Sequence, residues 1–256
     1  MTNIMQQYYD DILENGEKHL PRGLETVGLT NQVFTFVPGQ VFTRLGGNIS
    51  IGFVELLQFI SGTFDIEPFR VVAPNARLEL FTRQSAYGPR TVEQLPRIIE
   101  ELINDIDSRR AVMTIMYTID TPETMPCTLN AQFQVEDVDG IKSLVTTWNM
   151  RSSDLIWGLP TDIIQFGGIS LMVANCIGVR AVECIVNAGN AHIYTATRLK
   201  PGEQFDFAGT FELPNLYTLD AYKAWANAAL KFISEEKIMV KSIFPIHKEV
   251  EHDSIL

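Results

Sequence analysis

The chain has 256 residues, 46% of them apolar and 20% charged, and its 20 Lys and Arg against 31 Asp and Glu give a formal net charge of −11. That composition belongs to a globular protein and excludes a disordered, collagen-like or low-complexity chain. The acid excess also opposes non-specific binding to nucleic acid, which needs a basic footprint, but a small anion held by a few local arginines is still compatible with it.

With no internal repeat and no Pro/Gly-rich linker, residues 1–256 are expected to form a single domain. Cys127, Cys176 and Cys184 are too few, and odd in number, for a disulfide framework, and the four histidines offer no zinc-site spacing. A reduced, metal-free, cytoplasmic protein is the expectation. Residues 1–11 are polar and acidic, so no signal peptide is read there. The most apolar stretch, 163–179, carries Gln165, Ser170 and Asn175. It predicts a buried helix rather than a membrane span.

In chain order, 17–28 is expected to be a helix end or loop. Residues 34–42, broken by Pro38 and Gly39, are expected to form two short extended pieces, followed by a loop over 43–48. A short apolar helix is expected over 53–60, ending at Gly62, and 68–88 is expected to be irregular. Leu95, Ile98, Ile99, Leu102, Ile103 and Ile106 form one helical stripe, with Thr91 and Gln94 as a capping box. Strands are expected over 111–119, 129–135 and, after an Asp139-Gly140 hairpin turn, 141–150. A mostly buried helix over 161–177, strands over 181–186 and 192–197, and an amphipathic helix over 219–237 complete the reading. Strands and helices mix without regular βαβ alternation, which predicts an α+β fold.

No GxGxxG, P-loop, HExxH or GxSxG motif is present. Three features bear on chemistry. Cys127, in Pro126-Cys127-Thr128, sits at an element boundary where a substrate can reach it; the alternative is an inert core cysteine. Arg44, the pair Arg109-Arg110, and Arg151-Ser152 sit at loops and element ends, where guanidinium forks suit phosphate oxygens; the alternative is solvated surface charge. His192 and Tyr194, two apart on a strand, put both tips on one face; the alternative is a satisfied core pair.

Taken in order, these pieces resemble the thymidylate synthase family. They are Thr43-Arg44-Leu45-Gly46-Gly47, Glu55-Leu56-Leu57-Gln58-Phe59, Tyr87-Gly88, Asp107-Ser108-Arg109-Arg110, Pro126-Cys127, Gln132-Phe133, Arg151-Ser152-Ser153-Asp154 with Gly158-Leu159-Pro160, and His192-Ile193-Tyr194. The resemblance implies an α+β homodimer with mixed sheets packed back to back, a pyrimidine deoxynucleotide substrate, and 5,10-methylenetetrahydrofolate as one-carbon donor. It implies Cys127 as the nucleophile at C6 of the ring. Arg44, Arg151 and Ser152 would hold the phosphate, with Arg109 and Arg110 arriving from the partner subunit, and these arginines would lower the Cys127 pKa. His192 and Tyr194 would bind the sugar hydroxyl, Gln132 would join the substrate contacts, Asp154 and Gly158 would line the folate site, and Glu55 and Tyr87 would organise water and protons at the base.

Three departures bear on the reaction. The synthases carry Asn where this chain has Asp162, and a carboxyl group suits the N4 amino group and N3 of cytosine better than O4 and N3–H of uracil. Thr128 follows the nucleophile where synthases usually have His. No Trp lies between Ile66 and Tyr87, where the synthases have a wall that keeps water from the methylene intermediate; simple replacement by another apolar residue such as Phe81 is the alternative. In these site residues the chain resembles the family's deoxycytidylate hydroxymethylases. The expected reaction converts dCMP, methylenetetrahydrofolate and water to 5-hydroxymethyl-dCMP and tetrahydrofolate. It suits a virus with modified DNA acting in a host cytoplasm, or a pathway to a modified pyrimidine nucleoside. The alternatives are a dCMP methylase, a CMP hydroxymethylase, and a non-catalytic nucleotide-binding relative.

Overall fold

The computed structural model describes residues 3–44, 47–76, 82–84 and 86–248. Leu45 and Gly46 of the expected loop, and Phe81, lie outside the described residues.

The first 40 residues contain more regular structure than their sequence suggests. Helix α1 (Ile4–Asn15) starts at Asn3, whose side chain accepts from the backbone N–H of Met5 and Gln6. It buries only Met5, Tyr9 and Ile12, a stripe too sparse to stand out among Gln, Asp and Tyr. The expected loop over 17–28 is instead β1 (Glu17–His19), a tight turn at Pro21–Gly23, and the start of β2 (Thr26–Phe36). Pro38 and Gly39 separate β2 from β3 (Gln40–Arg44), as expected.

Helix α2 (Ser50–Ser61) ends at Gly62, in the left-handed region at φ 72°. Short helices α3 (Glu67–Val72) and α4 (Tyr87–Thr91) punctuate the stretch expected to be irregular. Helix α5 (Gln94–Asn104) buries Leu95, Ile98, Ile99 and Leu102. The expected capping box is absent, because Thr91 Oγ1 donates to Tyr87 O while Gln94 Nε2 donates to Arg90 O and Thr114 O. Of the strand expected over 111–119, only β4 (Val112–Thr114) pairs. The N–H groups of Ile115 and Met116 both turn to Leu129 O, and the chain then leaves the sheet.

Strands β5 (Thr128–Val138) and β6 (Ile141–Met150) form a hairpin through Asp139 and Gly140, both at positive φ (56° and 76°). After the two-residue strand β7 (Ser153–Asp154), α6 (Gly158–Ile177) crosses over to β8 (Arg180–Tyr194). Two strands are expected over 181–197; β8 is continuous, because Asn187 pairs with both Val33 and Asn149 and Asn190 pairs with Thr30, which keeps these poor strand formers in line. Strand β9 (Phe205–Thr210) pairs with β3, and α7 (Leu219–Glu236) and α8 (Val240–Ile243) close the fold.

The main sheet has the order β1-β2-β8-β6-β5-β4, with β7 beside β8. Pairs β6–β8 and β7–β8 are parallel and the others antiparallel, so the fold is a mixed-sheet α+β architecture, as expected. Helix α6 packs on one face of the sheet, α2 on α6, and α7 on α2. The opposite sheet face carries Val112 (46% exposed), Val33 (57% exposed) and an amide ladder in which Asn187 donates to Asn149 and Asn149 to Asn130. Among the described residues no helix is long and apolar enough to cross a membrane.

Trp148 is the keystone of the interior. It is fully buried, stacks on Phe166 at 4.1 Å and 9°, meets Phe59 and Phe133 edge-on, and donates its indole N–H to Thr146 Oγ1. Trp148→Ala is expected to remove about 3–5 kcal/mol of stability, by lost burial plus the cavity left behind. Urea denaturation checks this; a loss below about 1 kcal/mol would mean the neighbours collapse into the space.

Candidate active site

Cys127 immediately precedes β5, and its carbonyl oxygen accepts from Arg151 N at the exit of β6. The hairpin register, with Thr128 opposite Met150, therefore brings the thiol and the Arg151 guanidinium together. Arg151 Nη2 lies 3.8 Å from Cys127 Sγ and 3.2 Å from Met125 O, while Nε donates to Pro126 O at 3.0 Å. Strand β7 then runs beside β8 with Asp154 opposite His192, and the Leu155 N–H donates to His192 O.

Two cavities open on this junction. The first, about 280 Å³, is lined by Cys127, Glu55, Tyr87, Gly158 and Asp162, with Phe64 and Phe69 at its apolar side. The second, about 720 Å³, is lined by Arg151, Ser152, His192, Tyr194, Asn190 and Arg22. Met125 borders both.

Each element delivers its residue for a local reason. Glu55 rides on α2, and Gln165 Nε2 of α6 donates to its Oε2 at 3.1 Å. Tyr87 begins α4, which sits tight against α2: a Cβ on Gly88 would lie 2.2 Å from Gln58 O. Only glycine allows that approach, and it lets the Tyr87 hydroxyl accept from Thr128 Oγ1 at 2.8 Å, one residue past the thiol. Helix α6 starts at Gly158, after Trp157, so Asp162 is already inside the helix. Asp162 is 7% exposed and faces the first cavity.

Burial governs the charges. It raises the Glu55 carboxyl to about 8 and Asp162 to about 7, with Asp162 and Asp154 respectively adding repulsion. Tyr87 is raised by burial and then by Asp162. Burial raises Asp154 and lowers His192; each partly opposes the other's shift, and His192 is biased toward its neutral form. The His192 ring meets Tyr194 edge-on at 5.1 Å. Sequence reasoning expected the arginines to depress the Cys127 thiol. The Cys127 side chain reaches solvent, yet the thiol is instead raised: the dense protein around it desolvates the charge and outweighs the pull of Arg151, and Asp162 and Asp154 push the same way.

The remaining expected residues lie elsewhere. Arg44 stacks its guanidinium 3.9 Å over the Trp157 ring, at the start of α6, and does not line the second cavity. Arg110 is largely exposed and pairs with Glu101 at 2.9 Å, and Arg109 is exposed in the same loop. Gln132 is on β5 outside both cavities, with Nε2 3.4 Å from Arg109 O. Arg22 was missed. It takes φ 52° in the Pro21-Arg22-Gly23 turn, which aims it into the second cavity. The one signal in the sequence was an arginine between Pro and Gly, in a segment read only as loop.

Residues 76–226, more than half of the chain, match the family model described as thymidylate synthase. The chain belongs to that family. It is 32% identical over 105 residues to a thymidylate synthase of Brachyspira hyodysenteriae, covering 40% of this chain and 38% of the relative. It is 34% identical over 107 residues to a thymidylate synthase of Coxiella burnetii, covering 41% of this chain and 39% of the relative. The aligned part thus spans under two fifths of the length of the curated relatives it matches. In this family member, Glu55 and Arg44 lie outside the matched stretch, and Tyr87, Cys127, Arg151, Asp154, Asp162 and His192 lie within it.

The charges around Cys127 predict its reactivity. Because the thiol is raised, alkylation by iodoacetamide should climb only as pH passes above the ordinary thiol range. Asp162→Asn removes a repelling negative charge and should move the midpoint down by about one unit; Arg151→Gln removes the attraction and should move it up by about as much. Peptide mapping of the labelled cysteine across pH reads both shifts, and identical profiles in all three proteins would rule out this electrostatic balance.

Proposed function

We propose that the chain transfers a one-carbon unit to C5 of a cytosine nucleotide, converting dCMP, 5,10-methylenetetrahydrofolate and water to 5-hydroxymethyl-dCMP and tetrahydrofolate. The observation that carries this reading is Asp162: a buried carboxyl group, titrating near 7, in the same cavity as the Cys127 thiol. Addition of a thiolate to C6 of cytosine drives electrons to N3. A protonated Asp162 gives N3 its proton, and the resulting carboxylate accepts from N3–H and the N4 amino group together. In uracil the electrons go to O4, which a carboxylate oxygen opposes.

In this reading Cys127 is the nucleophile and leaves again in the last step. Glu55, protonated through neutral pH, orders the water that adds to the exocyclic methylene, and Tyr87 takes part in removal of the C5 proton. Arg151, Ser152 and Arg22 bind the phosphate in the second cavity, and His192, Tyr194 and Asn190 bind the sugar. Positive charge gathered in one cavity explains how a chain of net charge −11 holds a dianion. The folate supplies the one-carbon unit at the oxidation level of formaldehyde. Phe64 and Phe69 in the first cavity suit a flat pterin ring, with Gly158 in the same lining and Asp154 close beside Gly158.

Arg109 and Arg110 are exposed and line neither cavity, which supports a homodimer in which each phosphate site is completed by the partner's loop. The opposite sheet face, with Val33 and Val112 exposed, is the surface for that back-to-back packing. Mixing Arg110→Ala protein with Cys127→Ser protein is expected to restore activity that neither has alone, since each mixed dimer holds one wild-type site. No recovery after confirmed subunit exchange would count against the shared site.

The dCMP methylase reading keeps one observation in its favour: Phe64 and Phe69 line the cavity and would help exclude water. Mass spectrometry of the product separates the two, because hydroxymethyl carries one more oxygen than methyl. The base assignment is tested by Asp162→Asn. An amide donates to O4 and accepts from N3–H, so kcat/KM for dCMP should fall and that for dUMP rise, each by about one to two orders of magnitude for a mispaired buried polar group of roughly 1–3 kcal/mol. An unchanged ratio would overturn the cytosine reading.

A further inference from the structure

Arg90 lines neither cavity, yet its side chain is 7% exposed and that of its partner Asp120 is 5% exposed. Every nitrogen of the guanidinium donates. Nη1 and Nη2 fork onto the two Asp120 oxygens at 2.8 and 2.7 Å, Nη1 also reaches Ile115 O at 2.9 Å, Nε reaches Gln84 O at 2.6 Å, and Nη2 reaches Thr124 O at 3.4 Å. Tyr117 lies 5.1 Å under the guanidinium, gives its hydroxyl proton to Arg90 O, and donates its backbone N–H to Asp120 Oδ2 at 2.7 Å. A buried cation so fully bonded is costly to assemble and strongly destabilising to break.

What the cluster holds is the segment over 115–126, which leaves the sheet after β4 and returns as β5. Its last residues form the wall between the cavities. Met125 faces both, Met125 O and Pro126 O receive the Arg151 guanidinium, and Cys127 follows. Arg90 sits on α4 one turn after Tyr87, whose hydroxyl accepts from Thr128. The same short helix therefore grips the cysteine segment on both sides of the thiol, through Thr124 and through Thr128.

We propose that Arg90, forked onto Asp120, is a positioning residue that seats the 115–126 segment on α4 and thereby sets the distance between the Cys127 thiol and the Arg151 guanidinium. This rests on the reading of Cys127 as the nucleophile. The thiol faces Arg151 and Ser152 after β6, Asp154 from β7, Asp162 from α6 and Tyr87 from α4, and Arg151 alone among these brings positive charge. Loosening the segment weakens that one attraction and leaves the burial and the carboxylates in place.

The test is the pH profile of Cys127 alkylation in the full chain, read by peptide mapping without nucleotide or folate, alongside kcat and KM. Arg90→Lys keeps the charge but cannot fork onto a carboxylate and reach the carbonyls as well. Its alkylation midpoint should rise by about half a unit, less than in Arg151→Gln, making labelling at neutral pH about threefold slower, and kcat should fall in step. Asp120→Asn should reproduce the shift, and the double variant should be no worse than either single one, as for two halves of one device. Lys142→Ala, which breaks an exposed pair with Asp107, should leave the profile unmoved. Should Arg90→Lys fail to fold, Tyr117→Phe decides: it removes only the hydroxyl on Arg90 O and should move the midpoint the same way by less. A folded Arg90→Lys or Tyr117→Phe protein with a lowered melting temperature but the wild-type profile overturns the proposal. If Cys127→Ser retains turnover while the alkylation profile still follows Arg90, the nucleophile reading fails and the positioning of the thiol stands.

Discussion

The parallel pairing of β6 with β8, carried on by β7, is the constraint on which the rest of the molecule depends. A parallel pair cannot be closed by a hairpin and needs a crossover, and α6 is that crossover. Between the end of β6 and the start of α6 the chain has only residues 151–157 in which to turn, and β7 keeps this turn hydrogen-bonded to β8. The turn therefore lies at the strand ends, where Cys127 enters β5, with Arg151 beside the thiol, Asp154 beside His192, and Asp162 one turn into α6. The residues of the candidate site come from α2, α4, α6, β7 and β8 and from the ends of β5 and β6, and those around the thiol are brought together by this one register.

The interior that supports the register is aromatic and tightly keyed. Trp148 on β6 stacks on Phe166 of α6, and Thr146 and Ser170 share a hydrogen bond at 2.7 Å beneath it. Crossover helix and sheet are thus fixed relative to each other in rotation as well as in distance. That fixes where Asp162 and Gln165 point, and Gln165 in turn holds Glu55 of α2.

Charge is divided between the two cavities. The first gathers carboxyl groups whose protons burial retains to near neutral pH, and the second gathers arginines at the solvent edge. A thiol at the border feels both, and burial with the carboxylates wins over Arg151. Any approach of further cations, whether with a substrate-ordering step or from a second subunit, would shift this balance toward thiolate.

The helices over 50–61, 94–104, 158–177 and 219–236 and the 128–150 hairpin were legible in the sequence, because each carries a dense periodic stripe or a turn whose residues tolerate positive φ. So were the residue types around Cys127, since the ordered family pieces survive in spacing alone. Helix α1 and the first part of β2 (26–33) were not legible: they are held by the Asn3 cap and by pairing with a strand about 150–170 residues away. Arg22 was invisible for the same reason, being aimed by a local turn whose direction only the sheet defines. Arg44 shows the converse, an arginine visible in the sequence whose position over Trp157 depends on where α6 begins. Local periodicity and residue identity were enough to read the α+β class, the family and the chemical groups present. Which arginine enters the second cavity, where Asp162 faces, and that the thiol is raised rather than lowered follow from burial and long-range register, which belong to the assembled chain and to no single segment.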